Sequence, residues 1–155
     1  MTFDHVIQLP TEESTKAIAA ELAQILRTGD TILLSGEIGA GKSFLCRAIL
    51  RHVFGEDLEV PSPTFTLVQT YESDTAEYWH CDLYRLTHPD EAIELGLDEA
   101  FETAICLIEW PDRLGDLAPT NALSIHMSAG DDHHTATFQG DASWQSRIAP
   151  IWNKT

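Results

Sequence analysis

Eight consecutive residues have the sequence Gly36-Glu37-Ile38-Gly39-Ala40-Gly41-Lys42-Ser43. They match the P-loop pattern, in which a glycine and four further residues precede Gly-Lys and a serine or threonine. Three glycines let the backbone curl so that successive N–H groups point at phosphate oxygens. In such a loop the lysine reaches the β- and γ-phosphates and the serine hydroxyl binds Mg²⁺. The pattern predicts a site for nucleotide phosphates and Mg²⁺ made by these eight residues and the adjoining Phe44.

The residues on both sides of the motif have the character that a phosphate-binding loop requires. Thr31–Ser35 is β-branched and apolar, as in a buried parallel strand. Phe44–Phe54 places apolar side chains near one helical face. The alternative is a glycine-rich turn that matches the pattern by accident. A strand, the loop and a helix in this order favour phosphate binding, because the helix N-terminus directs its positive dipole end at the anion.

Length and composition indicate one domain, residues 1–155, because 43% of the residues are hydrophobic. The chain has no apolar run long enough to span a membrane and no visible signal peptide. Its three cysteines, Cys46, Cys81 and Cys106, are far apart in sequence and show no metal-type spacing. We therefore expect a reduced, cytoplasmic location and no membrane partner.

The net charge makes direct binding to nucleic acid improbable. The chain has 25 acidic and 9 basic residues, which gives −16 at pH 7. Such a surface repels phosphate backbones. We expect no contact with DNA, and contact with RNA only through other proteins.

Two carboxylates follow strand-like segments. Glu109 comes directly after the apolar run Ala104–Ile108, and a carboxylate at the end of a buried parallel strand is where nucleotide-binding α/β proteins place the acid on the Mg²⁺ side. Asp82 ends a second strand-like segment, where it could orient water or contact Mg²⁺ through water. The alternative for Asp82 is a structural partner for Arg85.

Three further positions could contact the nucleotide or its metal. Thr11 has the character of a helix N-cap and becomes a candidate if that helix begins beside the nucleotide. Thr64 and Thr66 lie in a proline-bearing loop, where a hydroxyl can sense Mg²⁺ and the γ-phosphate, although an ordinary strand entry is an equal alternative. We expect Arg47 and Arg51, on the helix after the loop, to face away from the phosphates.

The remaining pattern predicts an α/β fold with a mixed, mainly parallel sheet flanked by helices. A first strand covers Phe3–Leu9, and an antiparallel hairpin joins Phe65–Tyr71 to Glu77–Tyr84. Helices follow from Thr11, Pro89 and Asp98, and a last helix covers Ala142–Trp152. Two more strands, Leu123–Met127 and Thr135–Phe138, flank a histidine-bearing turn that we interpret as solvated rather than as a metal site.

Four motifs in this order resemble the TsaE family, also called YjeE, a family of small bacterial ATPases of tRNA threonylcarbamoyladenosine biosynthesis. They are the P-loop, Ser62–Thr66, Asp82-Leu83-Tyr84-Arg85, and Ile108-Glu109-Trp110-Pro111. The resemblance extends from about Thr11 to the turn at 130–134.

The resemblance implies a P-loop α/β fold with a hairpin insertion. It implies slow ATP hydrolysis that depends on two partners, TsaD and TsaB, which hold the tRNA whose position next to the anticodon is modified. It also implies that Lys42 and Ser43 bind phosphate and Mg²⁺, that Glu109 and Asp82 are the functional carboxylates, and that Thr11 and His133 contact the nucleotide.

Other classes of nucleotide-binding protein fit less well. A small GTPase needs an Asn-Lys-x-Asp guanine motif, and Asn153-Lys154 is followed only by Thr155. A small-molecule kinase needs arginines to hold a second anionic substrate, and this chain has few basic residues. A nucleotide-gated binding module with negligible turnover differs from an ATPase in rate rather than in residues and stays open.

Overall fold

The computed structural model describes residues 2–61 and 66–152. Its elements are β1 (Thr2–Leu9), α1 (Glu12–Ile25), β2 (Thr31–Gly36), α2 (Lys42–Phe54), β3 (Val68–Glu72), β4 (Glu77–Asp82), α3 (Asp90–Glu94), α4 (Leu97–Thr103), β5 (Ile105–Glu109), a 3₁₀ segment (Pro111–Leu117), β6 (Leu123–Ala129), β7 (His134–Asp141) and α5 (Ala142–Trp152).

One seven-stranded sheet organises the chain, in the order β1-β7-β6-β2-β5-β4-β3. The four strands β6, β2, β5 and β4 pair in parallel. The outer pairs, β1 with β7, β7 with β6, and β4 with β3, are antiparallel. Five strands therefore share one direction, and β7 and β3 oppose it. This confirms the predicted mixed, mainly parallel α/β sheet.

The predicted hairpin is an edge of this sheet rather than a separate projection. β3 and β4 pair in register from Val68 opposite Cys81 to Glu72 opposite Glu77. β4 then pairs in parallel with β5. Both strands are shorter than expected, because β3 begins at Val68 and β4 ends at Asp82. Phe65, the predicted first residue of the hairpin, lies outside the described residues.

Helices cover both faces of the sheet. On one face the buried core includes Leu22 from α1, Ile49 from α2 and Ile148 from α5. On the other face α3 and α4 pack against a second core cluster that includes Leu97. Side chains alternate between the faces along a strand, so Leu107 of β5 joins the first cluster and Ile108 joins the second. The parallel strands β2 and β5 are accordingly apolar on both sides.

Most helix boundaries follow local signals. Thr11 caps α1 as predicted: its hydroxyl accepts the N–H of Ser14 at 3.1 Å. Gly55 is the C-cap of α2. The cap of α4 was wrongly predicted: it is Gly96, not Asp98, because Gly96 adopts the left-handed conformation, with φ 87°, that joins α3 to α4.

Candidate functional site

The glycine-rich loop, residues 36–43, leads from β2 directly into α2. Gly36, Gly39 and Gly41 all have positive φ, at 132°, 86° and 99°. Gly36 is also sterically constrained, because a Cβ at this position would lie 2.1 Å from the carbonyl oxygen of Met127. Gly41 is the N-cap of α2 without a side-chain cap, which leaves the first N–H groups of this helix to another acceptor.

Lys42 folds back over its own loop. Its ammonium group donates to the carbonyl oxygens of Gly36 and, at 3.2 Å, of Glu37. The same group lies 3.9 Å from the ring centroid of Trp110. Burial lowers the pKa of Lys42 below its usual 10.5, and the nearby carboxylates, first Glu109, act in the opposite direction. The Lys42 ammonium group is thus partly desolvated, and its contacts are with carbonyl oxygens and an aromatic ring rather than with a carboxylate.

A chain of hydrogen bonds links the start of α2 to the centre of the sheet. Ser43 Oγ donates to Glu109 Oε1 at 2.8 Å, and the other carboxylate oxygen, Oε2, lies 2.7 Å from His80 Nε2. Glu109 is only 2% exposed and His80 only 1%. The contact between His80 and Glu109 follows from the sheet. β4 and β5 are neighbours, and the face that carries Leu107 and Glu109 also carries His80.

Asp82 stands beside Glu109 at the carboxyl edge of the sheet, since the two residues are register partners. Asp82 is buried, and its Oδ1 accepts the N–H of Tyr84 at 3.1 Å. The two predicted carboxylates are thus brought together.

A cavity of about 470 Å³ opens over this edge. It is lined by parts of the glycine-rich loop, the two carboxylates and residues around them: Ile38, Gly39, Gly41, Lys42, Ser43, Phe44, Arg47, Asp82, Tyr84, Arg85, Glu109 and Trp110. Arg47, which the sequence predicted to face away from the phosphates, borders this cavity, and it also borders a neighbouring cavity beside Arg51. One turn after Ser43, Arg47 lies on the same side of α2. The Nε of Arg51 donates to the carbonyl oxygen of Leu58 at 3.2 Å.

Trp110 has an unusual backbone at the rim of this cavity. Its φ of 59° and ψ of 54° are left-handed values that cost a non-glycine residue about 1–2 kcal/mol. Its N–H donates to the carbonyl oxygen of Leu34 at 3.2 Å. The indole also packs against Tyr84, with ring centroids 4.9 Å apart. This conformation directs the indole over Lys42.

A second cavity, of about 280 Å³, lies on the other side of Gly41 and Phe44, which line both cavities. Thr11 and His133, which are far apart in sequence, line it together. His133 also forms a hydrogen bond with the side chain of Gln8. The structure thus brings these two predicted nucleotide contacts to one end of the glycine-rich loop.

The other predicted positions are Thr64, Thr66 and the loop residues Glu37 and Ala40. Thr64 lies outside the described residues. Thr66 is exposed, and its hydroxyl accepts from Gln69 Nε2 at 2.8 Å. Of the remaining loop residues, Glu37 accepts the N–H of Ala129 at 3.3 Å, and Ala40 is buried.

Sequence reasoning missed His80. The signal was present, because His80 precedes Asp82 by two residues on a strand and must share its face. Which face that is, and that Glu109 lies on it, depends on the pairing of β4 with β5.

Comparisons with known proteins agree with this geometry. The family model described as "Threonylcarbamoyl adenosine biosynthesis protein TsaE" matches residues 9–137. A TsaE protein of Rickettsia bellii is 42% identical over 124 residues, which cover 80% of this chain and 86% of that protein. A TsaE protein of Bacillus subtilis is 38% identical over 128 residues, with coverage of 81% and 79%.

A solved structure extends the similarity beyond the residues that the family model matches. The crystal structure of Bacillus subtilis YdiB superposes with a TM-score of 0.79 at 26% sequence identity. The alignment covers 99% of this chain and 97% of that one, so it includes α5. The match to the family model and the identity to curated relatives show that this chain belongs to the TsaE family.

Proposed function

We propose that this protein binds ATP and Mg²⁺ in the cavity over the glycine-rich loop and acts in the threonylcarbamoyladenosine modification of tRNA. The observation that carries the proposal is the convergence of Lys42, Ser43 and Glu109 at one edge of the sheet. A P-loop NTPase needs a phosphate-binding cation, a metal-binding hydroxyl and a carboxylate at this place. The role in tRNA modification follows from the family membership.

The donor set fits Mg²⁺. Ser43 Oγ and the Glu109 carboxylate provide hard oxygen ligands, directly or through water, and Mg²⁺ prefers one or two such protein ligands together with phosphate oxygens. When bound, the metal neutralises charge on the phosphates. The protein's part is to hold these oxygens, to offer backbone N–H groups to the phosphates and to place Asp82 at the same edge.

The second cavity suits the nucleoside. It combines apolar walls from Leu9, Pro10 and Phe44 with the polar side chains of Thr11 and His133. Ligand sites are commonly mostly apolar, with a few polar groups that fix orientation. A nucleotide whose phosphates occupy the loop can extend past Gly41 into this cavity, since the two spaces meet there.

We further propose that hydrolysis is slow in isolation and depends on TsaB and TsaD. Lys42 contacts its own loop and Trp110, so these contacts must be exchanged for phosphate. Arg47 and Arg85 of this chain also line the cavity. The coupling proposal rests on the family and on this rearrangement. With a net charge of −16, contact with tRNA is assigned to the partners rather than to this chain.

The test is single-turnover ATP hydrolysis by the protein alone and with TsaB, TsaD and tRNA. The wild type is compared with Asp82→Ala and Trp110→Ala, and Arg47→Ala reports whether an arginine of this chain contributes. We expect stimulation by the partners that both of the first two variants lose. Equal turnover with and without partners overturns the coupling. Nucleotide binding without any turnover in the assembly instead favours a nucleotide-gated binding module, and turnover only with a small-molecule acceptor favours a kinase.

A further inference from the structure

We infer that His80 is a positioning residue: it orients the Glu109 carboxylate toward the metal side of the site. The inference deepens the proposed function and rests on it. It starts from the hydrogen bond between His80 Nε2 and Glu109 Oε2 at 2.7 Å, between two side chains that are 1% and 2% exposed.

Both oxygens of Glu109 are engaged from different elements. Ser43 of α2 donates to Oε1, and His80 of β4 contacts Oε2. An ionised carboxylate only accepts hydrogen bonds, so we assign the ring hydrogen to Nε2. With one donor on each oxygen, the plane of the carboxylate is fixed. The lone pairs that remain face a metal ion or its water from a constant direction.

The other ring nitrogen makes this arrangement costly unless it has a function. Nδ1 of His80 is buried and has no hydrogen-bond partner among the described residues. Burial of an unpaired polar atom carries a free-energy cost, because the atom gives up its hydrogen bonds to water. An apolar side chain at this strand position would avoid that cost. The histidine at position 80 is therefore explained by what Nε2 does for Glu109.

A carboxylate without this donor would be free to rotate. Lys42 is close enough for Glu109 to be the leading charge acting on its pKa. If Oε2 lost its partner, the carboxylate could turn toward the ammonium group and away from the metal. His80 thus keeps Glu109 on the Mg²⁺ side and leaves Lys42 for phosphate. Partners that orient metal ligands in this way typically account for 10–100-fold in metal affinity or activity.

The experiment measures Mg²⁺-dependent nucleotide binding rather than turnover. ADP is titrated calorimetrically at a series of Mg²⁺ concentrations and also in EDTA. For His80→Leu we expect ADP affinity in EDTA within about twofold of wild type and at least a tenfold higher Mg²⁺ concentration for half of the metal-dependent gain in affinity.

Two conservative variants separate positioning from packing. The amide nitrogen of glutamine can replace Nε2, whereas that of asparagine lies nearer to Nδ1. His80→Gln should therefore restore most of the Mg²⁺ response, and His80→Asn should not. Cys46→Ala is the matched control, because its Sγ lies within 4.8 Å of ligand atoms of both His80 and Glu109. It removes buried volume without removing this hydrogen bond, so its Mg²⁺ response should stay as in wild type.

A double-mutant cycle completes the test. In a Glu109→Gln background, His80→Leu should change the Mg²⁺ requirement by less than twofold. The reason is that His80 acts only through the Glu109 carboxylate, which the first substitution has already removed. Independent effects that multiply, or a wild-type Mg²⁺ response in His80→Leu, would overturn the inference. Should His80→Leu not fold, the contrast between the Gln and Asn variants decides. If wild-type protein binds no ADP either with Mg²⁺ or in EDTA, the proposed nucleotide site itself fails, which is a different result.

Discussion

The hydroxyl of Ser43 donates a hydrogen bond to Oε1 of Glu109 at 2.8 Å, across 66 residues of sequence. Ser43 opens α2 and Glu109 ends β5, so the contact joins the glycine-rich loop to the carboxyl edge of the sheet. The contact is compatible with metal binding, because the hydroxyl can keep donating to the carboxylate while its lone pairs face Mg²⁺.

Glu109→Gln should weaken Mg²⁺-dependent nucleotide binding or turnover more than it weakens ADP binding in EDTA. The substitution keeps an oxygen acceptor for Ser43 but removes the negative charge that acts on the metal. We expect about a tenfold loss or more with Mg²⁺. Calorimetric titration in the two conditions measures the difference. An equal loss in both would mean that Glu109 is structural.

Lys42→Ala should abolish measurable ADP binding while the fold survives. The lysine is the cation placed inside the glycine-rich loop, and it also supplies the contacts to Gly36 and Glu37. Circular dichroism checks the fold and calorimetry checks binding. Lys16→Ala, a change at an exposed lysine, serves as the control for loss of charge. Near wild-type affinity in Lys42→Ala would remove the phosphate-site proposal.

The protein should prefer ATP to GTP. Residues 1–155 contain no guanine-recognition motif, and the second cavity combines the apolar side chains of Leu9, Pro10 and Phe44 with polar ones that include Thr11 and His133. The preference is measured by displacement of a bound fluorescent ADP analogue with ATP and, separately, with GTP. A preference for GTP would instead favour the interpretation of the chain as a small GTPase.

Two alanine substitutions in the loop should differ in cost. Gly39→Ala meets no atom within 4 Å but must adopt φ 86°, at a cost of about 1–2 kcal/mol. Gly36→Ala also has positive φ and places a Cβ 2.1 Å from a backbone oxygen of Met127, which adds roughly 1–3 kcal/mol. Urea unfolding of both variants tests this ranking; similar stabilities would contradict the described approach of β2 to β6.

The contact between Asp30 and Arg147 should contribute strongly to stability. Arg147 donates to both oxygens of Asp30, at 2.9 and 2.5 Å, and to the carbonyl oxygen of Ile25 at 2.6 Å. Their side chains are only 10% and 16% exposed, so Arg147→Met leaves a mostly buried carboxylate and should cost about 3–5 kcal/mol.

The matched control for this ion pair is Lys16→Met. Lys16 and Glu13 form an ion pair whose side chains are 52% and 84% exposed, and its loss should change the free energy of unfolding by less than about 1 kcal/mol. Denaturant unfolding compares the two variants. Equal effects would show that α5 is not anchored through Asp30.

Local sequence determined where the helices and strands lie and which functional residues stand at their ends. The glycine spacing after Thr31–Ser35 predicted the loop, and the apolar run before Glu109 predicted a buried strand with an acid at its end. These features are local, because backbone conformation and hydrophobic periodicity act over a few residues. Thr11 as a helix cap was predictable for the same reason.

Tertiary structure decided which of these groups meet. The lateral order β6-β2-β5-β4 places Glu109 beside Ser43 and brings His80 to its second oxygen, and it depends on pairings between strands far apart in sequence. A residue pattern specifies that a side chain is buried on one face, but the neighbour it finds there is set by non-local packing of sheet and helices.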